Sequence, residues 1–439
     1  MNPLERHVLD EIERGRDELI ELTSALIAFD TTARKVGDPA REEAALQDFL
    51  AARLRRAGAD TEVWEPSASE LSGLPPIPEG LDFAGRPQLA ARFRGDSGGR
   101  SLLLNGHIDV VSCEPRQRWT SDPNRAEVRH GKLFGRGACD MKGGVAAMTF
   151  AAETLARLDV RLAGDLLVCT NTDEESSGAG GMALVAHGLR ADAGIVPEPT
   201  GFDAWIACRG SSLVTIDVLG QPGHAEKPQP HWRDGGAVNA IERMTRVLGA
   251  VDQLRDDWHG RPDTAHAYLS PGDIVPTMIS GGEWVVTYPA LCRLTCVVAY
   301  PPTQADADGG STVVARELAD KVADAVSDDD WLREHPPEIR WHSGVAPMEM
   351  QPDAPIVETV LEVGAELGRP GRPTGLDSWF DGATFTRFGA TPTIAFGPPG
   401  LDGDRTVAHT IDEFVPVDDL VLCAQALALA AVRFCGVAR

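Results

Sequence analysis

Positive charge is scarce in this chain: 41 Lys and Arg stand against 66 Asp and Glu, a formal net charge of −25. Without a basic stripe a nucleic-acid partner is not expected, because phosphate binding rests on clustered Lys and Arg. Paired cysteines are also lacking. The eight thiols (Cys113, Cys139, Cys169, Cys208, Cys292, Cys296, Cys423 and Cys435) are scattered with no CxxC spacing. Most lie in apolar runs, so buried free thiols are expected rather than disulfides. No apolar stretch approaches the length of a membrane span. Residues 1–30 set Leu4, Val8, Ile12, Leu19 and Ile27 among alternating Glu and Arg. That predicts one amphipathic surface helix, without the apolar core and cleavage site of a signal peptide. No repeat occurs at solenoid spacing. The expectation is a soluble cytoplasmic protein with no membrane contact.

What is present suits two domains, since 439 residues exceed what one core organises. Helical periodicity over 41–57 stops at Gly58, a left-handed cap, and 61–64 reads as a strand. Residues 65–87, rich in Pro, Ser and Gly, read as a surface loop. Strands follow at 89–93 and 101–104, an Ala-rich helix at 143–158 and a buried strand at 166–170. This alternation predicts an α/β domain with a mostly parallel central sheet flanked by helices, comprising 1–208 and 339–439. Between them, 209–338 reads as an inserted smaller α+β domain: strand 213–219, helix 236–248, paired strands 284–287 and 291–298, helix 313–326. A C-terminal helix is predicted at 418–434.

Five groups fall where predicted strands give way to loops: His107, Asp140, Glu175, Glu198 and His409. A His and carboxylate set without cysteine suits a catalytic divalent pair and hydrolysis by activated water, not a structural zinc. His107 ends a strand, and Asp109, two residues on and on the same face, is placed to fix its ring. Asp140, in GRGACDMKGG, reads both as the N-cap of the next helix and as a metal bridge, which do not exclude each other. Lys142 reads either as near the metals or as facing water. Glu174 and Glu175 point in different directions from an extended segment, so one can ligate while the other holds a water as base. Glu198 stands between Pro197 and Pro199, a rigid mount.

The strings NGHIDVV, GRGACDMKGG, TDEE, PEPT and AHT, in this order, resemble the M20 metallopeptidase family, in its acetylornithine deacetylase and succinyl-diaminopimelate desuccinylase branch. The resemblance extends through GLDSWFDGATFTRFGATPTIAFGPPG and the middle domain, so it spans nearly the whole chain. It implies that Asp140 bridges two zinc or cobalt ions, that His107 and Glu198 complete one, and that Glu175 and His409 complete the other. It also implies that Glu174 is the general base and that Asp109 supports His107. The inserted domain would be a dimerisation domain, giving a homodimer. Within it His224, in GQPGH, would reach the partner's site to stabilise the oxyanion. The expected substrate is a small-molecule acyl-amine. An M20-type dipeptidase or carboxypeptidase is the nearest alternative. A non-catalytic binding protein would have no need of Glu174 and a full ligand set.

One segment departs from the family pattern. Many relatives carry an asparagine at the place of Val286 and an arginine at the place of Ala299, polar groups that help hold substrate. The expectation is a leaving group other than an ordinary α-amino acid. Trp284, Tyr288, Trp379 and Phe380 read either as walls of a more aromatic pocket or as core rings. His231, in a loop longer than usual, reads as a substrate contact or as a surface residue.

Overall fold

The computed structural model describes residues 1–438 apart from 68, 72, 73, 75, 76 and 97. The loop reading of 65–87 therefore lies partly outside the described residues. The chain divides into two compact units, one of 1–207, 349–375 and 380–439, the other of 208–348 and 376–379.

The larger unit is built on a sheet with the order Asp60–Trp64, Gln88–Phe93, Leu166–Asn171, Leu102–His107, Ala193–Val196, Thr393–Ala395. Its inner strands run parallel, with Leu102–His107 between Leu166–Asn171 and Ala193–Val196. Both Leu102–His107 and Leu166–Asn171 are buried at every position, as parallel strands covered on two faces must be. Helices Lys142–Arg157 and Val417–Cys435 pack on each other and on Leu102–His107. Leu103, Leu167 and Cys169, which point the other way, pack with Leu184, Val185 and Phe385 of helices Ala179–Ala186 and Gly382–Phe388. The sheet is thus sandwiched, and the carboxyl ends of its parallel strands converge on one edge.

The expected single N-terminal helix is two, Pro3–Arg14 and Arg16–Ala28. They meet at Gly15, which packs against the Lys142–Arg157 helix closely enough that a Cβ there would lie 2.5 Å from Phe150 Cζ. Gly58 is left-handed, at φ +97°, and ends Glu43–Arg56 as its position predicts.

The smaller unit is an antiparallel sheet ordered Asp273–Gly281, Leu291–Tyr300, Gly210–Leu219, Glu338–Val345. Val214, Ile216 and Val218 meet Leu294, Cys296 and Val298 on one face and bury them against helices Ala240–Gly260 and Thr312–Val326. Three expectations are corrected here. Residues 284–287 form a bend and turn; the strand paired with Leu291–Tyr300 is Asp273–Gly281, an edge strand whose exposed Met278 and Ile279 hide the alternation. The helix expected from 236 begins at Ala240, because Asn239 Oδ1 accepts the N–H groups of Ile241 and Glu242. The return expected near 339 falls after Met348, since Glu338–Val345 pairs with Gly210–Leu219.

Candidate metal centre

All five candidate ligands lie in the larger unit, at the converging strand ends. His107 is the last residue of its strand and pairs with Asn171, two residues before the Asp173-Glu174-Glu175 turn. Asp140 precedes the helix Lys142–Arg157, and Glu198 follows Ala193–Val196 by two residues. Gly144 permits this grouping: a Cβ there would stand 2.2 Å from the carbonyl of Pro197, so only glycine lets the helix start beside the Glu198 turn.

Asp140 is the pivot. Its Oδ1 lies 3.1 Å from His107 Nε2 and its Oδ2 lies 3.4 Å from His409 Nε2. Glu198 Oε1 is 3.8 Å and Glu174 Oε2 is 4.0 Å from His107 Nε2, while Glu175 is 3.1 Å from His409 Nε2. Asp140 is not the helix N-cap; that position is Met141 and carries no side-chain cap bond, which leaves both Asp140 oxygens for the histidines. His107 is buried, whereas the side chain of His409 is 51% exposed, so the centre opens on the His409 side.

The supporting bonds differ from the simplest expectation. His107 Nδ1 donates to the carbonyl oxygen of Asp109 at 2.8 Å, while the Asp109 carboxylate is 3.7 Å away. Because a carbonyl only accepts, Nδ1 carries the hydrogen and Nε2 is left to face the centre. The Asp109 carboxylate instead accepts the backbone N–H groups of Glu174 and Glu175. Lys142 does not face water: it is buried, donates to the carbonyl of Phe29 at 2.8 Å, and is lowered by burial to about 8.

Two buried acids of the centre escape a sequence reading. Asp381 Oδ2 accepts from Asn171 at 2.6 Å and Asn105 at 3.5 Å, tying together the strands that end in His107 and in the Glu174 turn. Glu413 accepts from Arg136 and from the N–H groups of Cys139 and Asp140. Asp381 sits inside GLDSWFDGATF and Glu413 four residues past His409, but an acid in such a string has no spacing that marks it.

The electrostatics suit bound cations. Burial pushes Glu174 and Glu198 well above the usual carboxylate range, and neighbouring acids add to it. Burial opposes, but the His107 and His409 hydrogen bonds outweigh it and hold Asp140 below its ordinary value. Asp140 and Glu175 push His409 up to about 10, and His107 is also raised well above its ordinary value, burial being outweighed by Asp140 and the nearby acids. Four carboxylates crowd two imidazoles in a largely dry space, an excess of negative charge that divalent ions relieve. Ligand atoms of His107, Asp140 and Glu175 already lie within 4.8 Å of one another. Nitrogen and oxygen donors without thiolate fit such ions.

The remaining candidates have other surroundings. Phe380 is a core ring of the larger unit, 1% exposed and packed against Gly382, rather than a pocket wall. In the smaller unit, Trp379 Nε1 donates to the carbonyl of Ala346 at 3.1 Å. His224 is exposed and bridges Thr287, and the 284–288 turn is bonded to its loop through Ala225 N to Val286 O and Tyr288 N to Gly223 O. Trp284, 70% exposed, and Tyr288 line a cleft of about 620 Å³ with Ile241, Glu242 and Glu283. His231 is exposed and accepts the N–H of Arg233, capping a short turn of helix. Ala299 lies within Leu291–Tyr300, paired with Ser211 and Asp273.

A His and carboxylate centre at the carboxyl edge of a sandwiched parallel sheet defines a metal-dependent hydrolase. The chain matches peptidase family M20/M25/M40 over residues 103–433. It is 25% identical to N-formyl-4-amino-5-aminomethyl-2-methylpyrimidine deformylase of Halalkalibacterium halodurans, over 98% of this chain and 97% of that protein. It is 31% identical to acetylornithine deacetylase of Myxococcus xanthus, over 94% of this chain and 96% of that protein. Human carnosine dipeptidase 1 shares the fold at a TM-score of 0.71 and 15% identity, over 99% of both chains. The chain belongs to the M20 peptidase family.

Proposed function

We propose that this protein is an N-deacylase that cleaves a linear amide between a small acyl group and an amine. The observation that carries the reading is the division of Asp140 between His107 and His409, with Glu174 beside them. In this reading His107 and Glu198 hold one zinc or cobalt ion, Glu175 and His409 hold the other, and Asp140 lies between. Such a pair supplies polarisation of the scissile carbonyl and acidification of water. Glu174, on a turn fixed by Asp109, takes the proton of the attacking water on its carboxylate and gives it to the leaving nitrogen. His224 donates to the oxyanion, from the partner subunit of a homodimer.

The leaving amine is a planar or heteroaromatic one without the α-carboxylate of an amino acid. Val286 and Ala299 replace the polar groups expected for such a carboxylate, and Trp284 and Tyr288 offer aromatic walls. The pyrimidine deformylase relatives support this choice. A homodimer is supported by the unpaired edge of Asp273–Gly281, where Met278 and Ile279 are 70% and 56% exposed. We place the protein in the cytoplasm because all eight cysteines are buried as thiols; no helix among the described residues is long and apolar enough to cross a membrane.

The test is amine release from N-formyl and N-acetyl heteroarylamines, N-acetylornithine, N-succinyl-diaminopimelate and dipeptides, by zinc- or cobalt-loaded protein with a chelator control. Metal-dependent preference for the heteroarylamides supports the reading. High efficiency on N-acetylornithine overturns the amine assignment, and turnover of dipeptides alone overturns the deacylase.

A further inference from the structure

We propose that Glu413 is a positioning residue that sets the spacing of Asp140 and His409, and through it the affinity of the ion held by Asp140, Glu175 and His409. The proposal rests on the two-ion reading above. Glu413 is fully buried. Its Oε1 accepts two consecutive backbone N–H groups, of Cys139 at 2.9 Å and Asp140 at 3.1 Å. Its Oε2 accepts Arg136 Nη1 at 2.5 Å. Arg136 in turn donates to the carbonyl of Ser112 at 3.1 Å and lies over the Trp119 ring, so the pair is seated rather than free to swing. The carbonyl of Glu413 accepts Gly135 N–H at 3.0 Å, and Phe414–Pro416 pairs with Lys132–Phe134.

One side chain therefore joins two separate segments of the centre. The 135–140 loop delivers Asp140, and the segment that delivers His409 ends four residues later in Glu413. Without this carboxylate the Cys139 and Asp140 amides have no other acceptor among the described residues, and the end of the loop that carries Asp140 loses both of its backbone anchors. The direction of Asp140 Oδ2 toward His409 depends on that turn. His107 and Glu198 ride on strand ends that Glu413 does not touch, so their ion, which meets the change only through Asp140, is disturbed less than the ion that also depends on His409. A buried carboxylate and guanidinium beside further acids are costly to desolvate, and an apolar pair of like volume is often as stable. Charge-assisted bonds to backbone N–H groups do, however, fix direction.

The experiment measures metal content after dialysis and ion affinity by competition titration with zinc, in wild type, E413A and E413Q. The cobalt-loaded proteins give absorption spectra as a second readout. Glu413→Ala is expected to weaken one ion by about 10- to 100-fold, to leave the other within about 3-fold, and to alter only part of the cobalt spectrum. Glu413→Gln keeps an oxygen for both N–H groups and is expected to recover most of the lost affinity. Should E413A fail to fold, E413D, whose shorter side chain withdraws the same oxygen, carries the same expectation. Two ions bound with wild-type affinities, or equal weakening of both, overturns the role of Glu413 and leaves the two-ion reading standing. A wild type that binds a single ion removes the two-ion reading itself.

Discussion

The carboxylate of Asp109 accepts the backbone N–H of Glu175 at 3.0 Å. With the Glu174 N–H on its other oxygen and its own carbonyl on His107, Asp109 connects the strand that ends in His107 to the turn that carries Glu174. Replacing it by Asn turns one of the two acceptor atoms into a donor aimed at a backbone N–H. D109N is expected to lower kcat by about 10- to 100-fold with little change in KM, because the turn rather than substrate binding is disturbed. Steady-state kinetics on metal-saturated protein check this, and a pure KM effect would contradict it.

Glu174 lies 4.0 Å from His107 Nε2 but takes no part in the Asp140 and His409 contacts. As the proposed proton carrier it is separable from metal holding. Glu174→Ala is expected to retain wild-type metal content while losing about 10²- to 10⁴-fold in kcat. Metal analysis alongside kinetics decides, and substantial turnover in the metal-loaded variant would remove the assignment.

Loading the centre should release protons. His107 Nδ1 already carries a hydrogen, so its 3.1 Å contact to Asp140 through Nε2 requires the imidazolium, and His409 is held protonated up to about 10 by Asp140 and Glu175. An ion replaces those protons, so affinity must fall as pH falls. Calorimetry in buffers of different ionisation enthalpy is expected to show release of at least about one proton per subunit near neutral pH. Zero release would place the ions elsewhere.

Asp381 gives a stability signature in the metal-free protein. Burial raises it from 3.8 to about 6, with the Asn171 hydrogen bond working against the rise. An acid with a raised folded-state value binds its proton more tightly when folded, so ionising it disfavours folding. The penalty is absent below about pH 4, grows between 4 and 6, and is complete above that. Asp381→Asn removes the charge. Its melting advantage over wild type in chelator is expected to be absent near pH 4 and to rise to a plateau above pH 6, worth at most about 3 kcal/mol. A pH-independent difference would show that Asp381 does not ionise in this range.

Pattern carried much of this protein into view. Leu102–His107 and Leu166–Asn171 announce themselves because a strand buried on both faces opens with a continuous apolar run, here 102–104 and 166–169. Asp273–Gly281 does not, since an edge strand that leaves Met278 and Ile279 bare shows no alternation. The amphipathic pattern of 1–30 is readable, yet its division into two helices at Gly15, a residue packed against the distant Phe150, is not.

The sequence by itself determined the chemistry. Ligand type, the absence of thiolate spacing and the ordered strings around His107, Asp140, Glu174, Glu198 and His409 are local properties, written in residue identity. Tertiary structure alone decided how those groups are held. That Lys142 turns inward to Phe29 and that Asp381 and Glu413 belong to the centre depend on segments more than a hundred residues apart, and even between neighbours His107 and Asp109 the folded chain chooses the carbonyl over the carboxylate. An acid becomes part of a buried network only when packing removes its water and supplies its donors, and no spacing along the chain records that event.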